Sequence, residues 1–214
     1  MTRVEKKRLA IITAAKEEFI QHGFTGANMD RVCALAEVSK RTLYRHFESK
    51  EVLFESVLSV IKSSIGETHD YPFDGDKSIQ EQLTTITHKE VEILYKNYGI
   101  PFTRVVVIEF LREPEMAQQI ISKLYHSKAL TTWFELAQQA GAIRNINIDL
   151  LSDTYTSIFN GLFLWPLVFN MQPMPTETEL DQKISHLVFV ISSTCEASAQ
   201  QYETPSQKTD SSNN

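Results

Sequence analysis

Apolar residues recur along this chain at spacings of three and four, and few runs alternate apolar with polar, so the pattern predicts an all-α protein. A first helix is expected from about Val4 to His22, with Ile12, Ala15 and Phe19 on one face. Gly23 suits the left-handed position that ends a helix, and Phe24 can fold back onto the last turn. Asn28 is placed to cap a second helix, roughly Met29 to Ala36, with Asp30 near its positive end. A short turn, "EVS", follows. Ser39 caps a third helix, "KRTLYRHF", and Ser49 a fourth, from Lys50 to about Ser64. Two short helices joined by a tight turn, between two longer helices, make a helix-turn-helix layout. Val32, Ala36, Val38, Leu43 and Phe47 are spaced to pack the pair. That leaves Lys40, Arg41, Thr42, Tyr44, Arg45 and His46 largely outside the core.

Past this point the helices lengthen. "IGETHDYPFDGDKS" (65–78) reads as a loop and a domain boundary. A fifth helix is expected from Ser78 to Tyr98, ended by Gly99, and a sixth starts at Pro101. Its apolar run Val105 to Ile108 reads as buried helix rather than strand. A seventh runs from Pro114 to Ala140, with a break near Ser127. An eighth opens at Asp149 and reaches Asn170, kinked or shortened by Pro166. A ninth spans Glu177 to Ala199. The division expected is a head over 1–50, a connecting helix over 50–64, a body over 65–202 and a polar, disordered tail over 203–214.

Charge sharpens that division. Residues 1–62 hold 11 Lys+Arg against 8 Asp+Glu, whereas 63–214 hold 10 against 19. A basic head on an acidic body points to a polyanion at the head alone. Two cysteines, Cys33 and Cys195, lie far apart without a CxxC, which fits packing residues in a reducing compartment. The N-terminal segment does not read as a signal peptide, since Lys16, Glu17 and Glu18 break its apolar stretch. The longest apolar run, "LFLWPLVF", is far short of the ~20 residues that span a bilayer. A soluble cytoplasmic protein without membrane contact is expected.

A helix that reads the major groove needs donors at its N-terminal end, groups for the flanking phosphates, and an apolar back. "SKRTLYRHF" has all three. Lys40 and Arg41 can reach guanine acceptors, and Thr42 can hydrogen-bond or touch a thymine methyl. Tyr44 and Lys50 can hold phosphates, and Ser39 and Ser49 leave two helix N-termini to face the backbone. Arg3, Lys6, Lys7 and Arg8 are expected ahead of the first helix, as an arm on the phosphates or in the minor groove.

The run "FTGANMDRVCALAEVSKRTLYRHFESKEVLFESVL" (24–58) resembles the DNA-binding head of TetR-family transcriptional regulators, above all in "VSKRTLYRHF" and "SKEVLF". "AGAIRNINIDLLSD" is similar to the link before the eighth helix in many members. Two positions depart from the family. Glu37 stands where the turn often has glycine, at a cost of about 1 kcal/mol if its φ is positive, and Asn28 stands where threonine is usual. The resemblance implies a three-helix head with Lys40, Arg41, Thr42, Tyr44, Arg45 and His46 on DNA and Asn28 and Lys50 on phosphate. It implies an about nine-helix, ligand-responsive homodimer, most often a repressor on a palindromic operator, and no cofactor.

For the body, the resemblance implies that helices eight and nine of two copies form a four-helix bundle. Ile158, Gly161, Leu162 and Trp165 on one, and Ile184, Leu187, Val188 and Ile191 on the other, are the candidate interface. It also implies an effector pocket. Among the body's aromatics, Tyr98, Phe102, Phe110, Trp133, Tyr155, Phe159 and Phe163 are candidates to line it, with Glu109 as a polar marker, for an apolar or amphipathic small molecule. An enzyme is the rival class, yet GxSxG, GxGxxG, P-loop and HExxH patterns are all missing from the sequence. His88 and Glu92 share a helix face, with no further ligand at metal spacing. An architectural DNA-binding factor without an effector is the other rival. A filled body would favour it and a cavity would not.

Overall fold

The computed structural model describes residues 2–65, 71–115, 117–118 and 129–196. Helix α1 spans Arg3–Gly26, and Thr2 caps it in a reciprocal pair with Glu5. Gly23 has φ of 68° and breaks the regular backbone inside that span, so the chain makes one further turn. Phe24 does fold back, stacking on Phe19 at 5.8 Å and meeting Phe54 edge-on at 5.2 Å. Helix α2 (Met29–Leu35) and helix α3 (Lys40–His46) follow. Between them Glu37 takes φ of 53°, and the Val38 amide donates to Cys33 O at 3.0 Å to close the turn. Helix α4 (Lys50–Ile65) is capped by Ser49, whose Oγ accepts from the Val52 amide.

Helix α5 (Ile79–Glu92) starts on a Ser78–Glu81 capping box and widens into a π-helical segment over Ile93–Tyr98, before Gly99 stops it at φ of 78°. Helix α6 is Ile100–Arg112, so the 105–108 run is helical as expected, but only Val105 and Val106 are buried and Ile108 is 53% exposed, because the run turns around the helix. Of the expected seventh helix, 114–115 and 117–118 are helical and Ala129–Gln139 forms α7; residues 116 and 119–128 lie outside the described residues. Helix α8 starts at Ile148 under an Asn147 cap rather than at Asp149, because Asn147 Oδ1 takes the Leu150 amide. It runs to Phe159, widens into a second π segment over Asn160–Leu164, and ends in the turn Trp165–Val168, where Pro166 occupies the first-turn position that a missing N–H tolerates. Helix α9 is Glu177–Glu196. Residues 66–70 and the tail 203–214 lie outside the described residues, and among the described ones there is no strand.

Two cores hold the chain. One gathers the apolar faces of α1 to α4, including Phe19, Val32, Leu43, Phe47 and Phe54, and takes in Phe102, Val105 and Val106 from α6. The other packs α5, α7, α8 and α9 around Trp133, Phe134, Phe163 and Leu187. Helix α6 therefore belongs to the body in sequence and to the head in packing. A polar link repeats this, Arg112 of α6 donating to Thr25 Oγ1 at 2.7 Å, and Lys16 Nζ ties α1 to the preceding π segment by donating to Asn97 O at 3.0 Å.

Candidate nucleic-acid interface and body cavity

The head is fixed from behind by one buried carboxylate. Glu18, 1% exposed on α1, accepts from the Asn28 amide at 2.8 Å and from Arg31 Nε at 2.9 Å, and forms an ion pair with Arg31 Nη2 at 2.6 Å. Burial alone would raise its pKa, but the Arg31 and Asn28 hydrogen bonds outweigh it and hold the carboxyl below its usual value. This clamp sets the start of α2 against α1. Nothing in the periodicity marks Glu18, which shares its face of the helix with Ala14 and Ala15.

On that frame, α3 presents an exposed row. Arg41, Tyr44 and Arg45 are exposed, Tyr44 at 49%, and among the described residues neither arginine makes an ion pair. The row's apolar back, Leu43 and Phe47, is buried. Other candidates are already engaged. Lys40 Nζ lies 2.8 Å from Asp30 Oδ1, both side chains being more than half exposed. Thr42 shares a hydrogen bond with Ser39 at 2.9 Å. His46 is half-buried under α1. Its Nε2 is buried with no hydrogen-bond partner among the described residues, and burial, then Arg45, Arg8 and Lys7, push its pKa down.

Several placements differ from the expectation. Arg3, Lys6, Lys7 and Arg8 form no arm ahead of α1 but occupy its first two turns, because the Thr2–Glu5 box starts the helix before them. Arg8 sits over the Phe47 ring at 5.3 Å. Ser39 and Ser49 do not leave their helix ends open: their own hydroxyls take the Thr42 and Val52 amides. Lys50 lies 4.7 Å over the Phe24 ring and donates to Thr25 O, so it serves the end of α1. Asn28 spends Oδ1 on the Asp30 amide at 2.7 Å.

In the body a cavity of about 550 Å³ opens between α5, α6, α7 and α8. Tyr98, Phe110, Tyr155 and Phe159 line it, joined by Glu90, Thr103, Thr156 and Asn160, which sequence reasoning missed. Both π segments contribute to the wall, through Ile93, Leu94 and Tyr98 from one and Asn160 and Leu164 from the other. Tyr95 OH ties them, donating to Phe163 O at 3.2 Å. A π turn displaces side chains from α-helical register and is frequent at functional sites, but no single-residue signal announces it.

Four expected pocket residues lie elsewhere. Phe102 is in the head's core; Trp133 and Phe163 are fully buried in the body's core, Trp133 Nε1 donating to Gln82. Glu109 is buried on the head side of α6, where burial raises its pKa against the pull of Arg112. Arg104 instead donates to the carbonyls of Leu167 and Val168, ending α8. Tyr125 and His126, of the expected seventh helix, lie outside the described residues. His88 stands 3.8 Å from Asp181, and Glu92 pairs with Lys89 and Lys96.

The expected interface residues divide. Ile184, Leu187, Val188 and Ile191 are at most 5% exposed and pack on α5 within the chain, so this face of α9 is not a surface. Gly161 is exposed, Ile158 and Leu162 are half-buried, and Trp165 is 38% exposed at the cavity wall. The outward apolar residues of this region include Phe169 at 62%, Met171 at 74% and, on α9, Phe189 at 63%.

A helix-turn-helix with an exposed cationic row, mounted on a helical body with a cavity, defines a DNA-binding regulator of transcription. Comparison with known proteins gives the family. Residues 11–57 match the model of bacterial regulatory proteins of the tetR family, and 81–192 match the C-terminal domain of AefR-like transcriptional repressors. The chain belongs to the TetR family. It is similar to the transcriptional regulator UidR of Escherichia coli K12, 27% identical over 167 residues, covering 75% of this chain and 82% of the relative. A TetR-family regulator from Pseudomonas syringae superposes with a TM-score of 0.75 at 27% identity, covering 89% of this chain and 96% of that one. The flavonoid-responsive regulator FrrA shares the fold, with a TM-score of 0.71 at 23% identity over 91% and 100% of the two chains. These relatives regulate transcription, and the chain is a regulator rather than an enzyme. Among the described residues no helix is long and apolar enough to cross a membrane.

Proposed function

We propose that this regulator is a cytoplasmic repressor. It binds a palindromic operator as a homodimer and leaves it when a small apolar or amphipathic effector enters the body cavity. Arg41, Tyr44 and Arg45 read the major groove, with Arg3, Lys6 and Lys7 toward the flanking phosphates. The head is residues 1–50, helix α4 over 50–64 is its connection, and 65–202 is the effector and dimerisation domain. One head reads few base pairs, so specificity calls for two heads about 34–36 Å apart. The exposed apolar residues Trp165, Phe169 and Phe189, with Gly161 allowing close approach, supply a face for the second copy.

The observation that carries this reading is the double membership of α6. Val106 lines the cavity and is also part of the head's core, one helical turn from Phe102 and beside Val105. An effector that moves this wall biases the head's position, which is a population shift between spacings that fit DNA and spacings that do not. The match to AefR-like repressors supports repression. The cavity disfavours an architectural factor with a filled body. The test is a thermal-shift screen of apolar and amphipathic compounds, followed by operator titration. The expected result is a compound that both stabilises the protein and lowers operator affinity. If no compound binds while DNA binding stays intact, the effector is lost from this account and the architectural reading replaces it.

A further inference from the structure

The N-terminus of α2 is an obvious place for a DNA phosphate, and here two of its amides are already engaged. The Asn28 amide donates to Glu18, the Asp30 amide donates to Asn28 Oδ1, and the Asp30 carboxylate stands in the first turn where the helix dipole favours an anion. That same carboxylate reaches across to α3 and holds Lys40 Nζ at 2.8 Å. Lys40 is the first residue of the recognition helix, and its ammonium is stabilised mainly by the hydrogen bond to Asp30 and then by the charge of Asp30.

We propose that Asp30 is a specificity-determining residue. It occupies the anion position of α2 and neutralises Lys40, so that neither grips the DNA backbone. Phosphate contacts raise affinity for every sequence alike, whereas base contacts discriminate. Withholding one cation lowers the sequence-independent part of binding and leaves discrimination to Arg41, Tyr44 and Arg45. An exposed ion pair is weak in itself, but at a DNA interface the pair is neutral as a whole, so no duplex gains attraction from Lys40. Every sequence forgoes that attraction alike, and base contacts then carry more of the binding. The inference rests on the DNA-binding role of the head and not on the effector.

The experiment uses the full chain and four proteins: wild type, Asp30→Asn, Lys40→Gln and the double variant. Each is titrated with a selected operator and with a scrambled duplex across a salt series. Asp30→Asn is expected to bind the scrambled duplex more tightly, with a salt slope steeper by about 0.9, the value of one phosphate contact. The ratio of operator to scrambled affinity then falls. Lys40→Gln alone should leave the slope on scrambled DNA unchanged, and the double variant should cancel the gain. A slope that Lys40→Gln alone lowers by a full contact, with the two changes additive, overturns the proposal. So does Asp30→Asn with wild-type slope and ratio while its melting temperature shows an intact fold. If wild type prefers no sequence, the operator reading fails, and the slopes on scrambled DNA still decide whether Asp30 withholds Lys40.

Discussion

In the head, Glu18 is 1% exposed and its carboxylate is saturated by Arg31 and the Asn28 amide. In the body, Thr156 and Asn160 face a cavity of about 550 Å³ instead. Apolar groups diverge in the same way: Leu43 and Phe47 are at most 1% exposed behind the recognition helix, whereas Phe110 and Phe159 are half-buried at the cavity wall. The head satisfies its buried carboxylate internally and packs the back of its recognition helix tightly, as sequence readout demands. The body leaves room, as a guest demands. Helix α6 joins the two, and the coupling proposed above runs through it.

The largest effect is expected at the head's core. Leu43→Ala should cost about 2–5 kcal/mol of stability, since the residue is fully enclosed. Thermal unfolding would record it, and Phe159→Ala at the cavity wall should cost less and alter ligand binding more. Equal losses at the two sites would remove the contrast between a filled head and an open body. Arg41→Ala should cost roughly 1–3 kcal/mol on the operator and relax one base position. A uniform loss on all duplexes would make Arg41 a phosphate contact.

Titration sharpens the contrast further. The folded-state pKa of Glu18 lies below the ordinary carboxyl value of 4.5, so the clamp contributes stability that is present above that pH and lost as pH falls through the depressed value. Glu18→Gln should flatten this acid limb of an unfolding series. His46 has its pKa lowered from 6.5 by burial and by Arg45, Arg8 and Lys7. Its neutral form is the one that fits, so stability is full above pH 6.5 and falls as pH drops from 6.5 towards the depressed value. His46→Gln should weaken that dependence. The smallest effect concerns the turn: Glu37→Gly, at φ of 53°, should gain up to about 1 kcal/mol, because glycine takes positive φ without the Cβ penalty.

Much of the fold was legible in local signals. Ser39, Ser49 and Ser78 mark helix starts, Gly23 marks the break in α1 and Gly99 an end, and the turn before Ser39 follows from two short apolar faces. The recognition helix was legible for the same reason, since its chemistry sits in consecutive residues. What was not legible is tertiary. Lys40 and Asp30 are ten positions apart, and their pairing depends on the angle between α2 and α3. Phe102, Trp133 and Phe163 have the composition of pocket residues, and only packing turns them into core. The apolar stripe Ile184, Leu187, Val188 and Ile191 reads as an interface, yet α5 already covers it. The π segments displace side chains by a fraction of a turn, which no spacing rule assigns.

The central claim is sequence-specific binding by paired heads, and selection of duplexes from a random pool by the purified full chain at two salt concentrations tests it most directly. The expected result is enrichment of an inverted repeat whose half-site centres lie one helical turn, about 34–36 Å, apart, with one base position of each half-site relaxed in Arg41→Ala. Binding that falls with salt on all sequences alike, with no motif emerging, would contradict it.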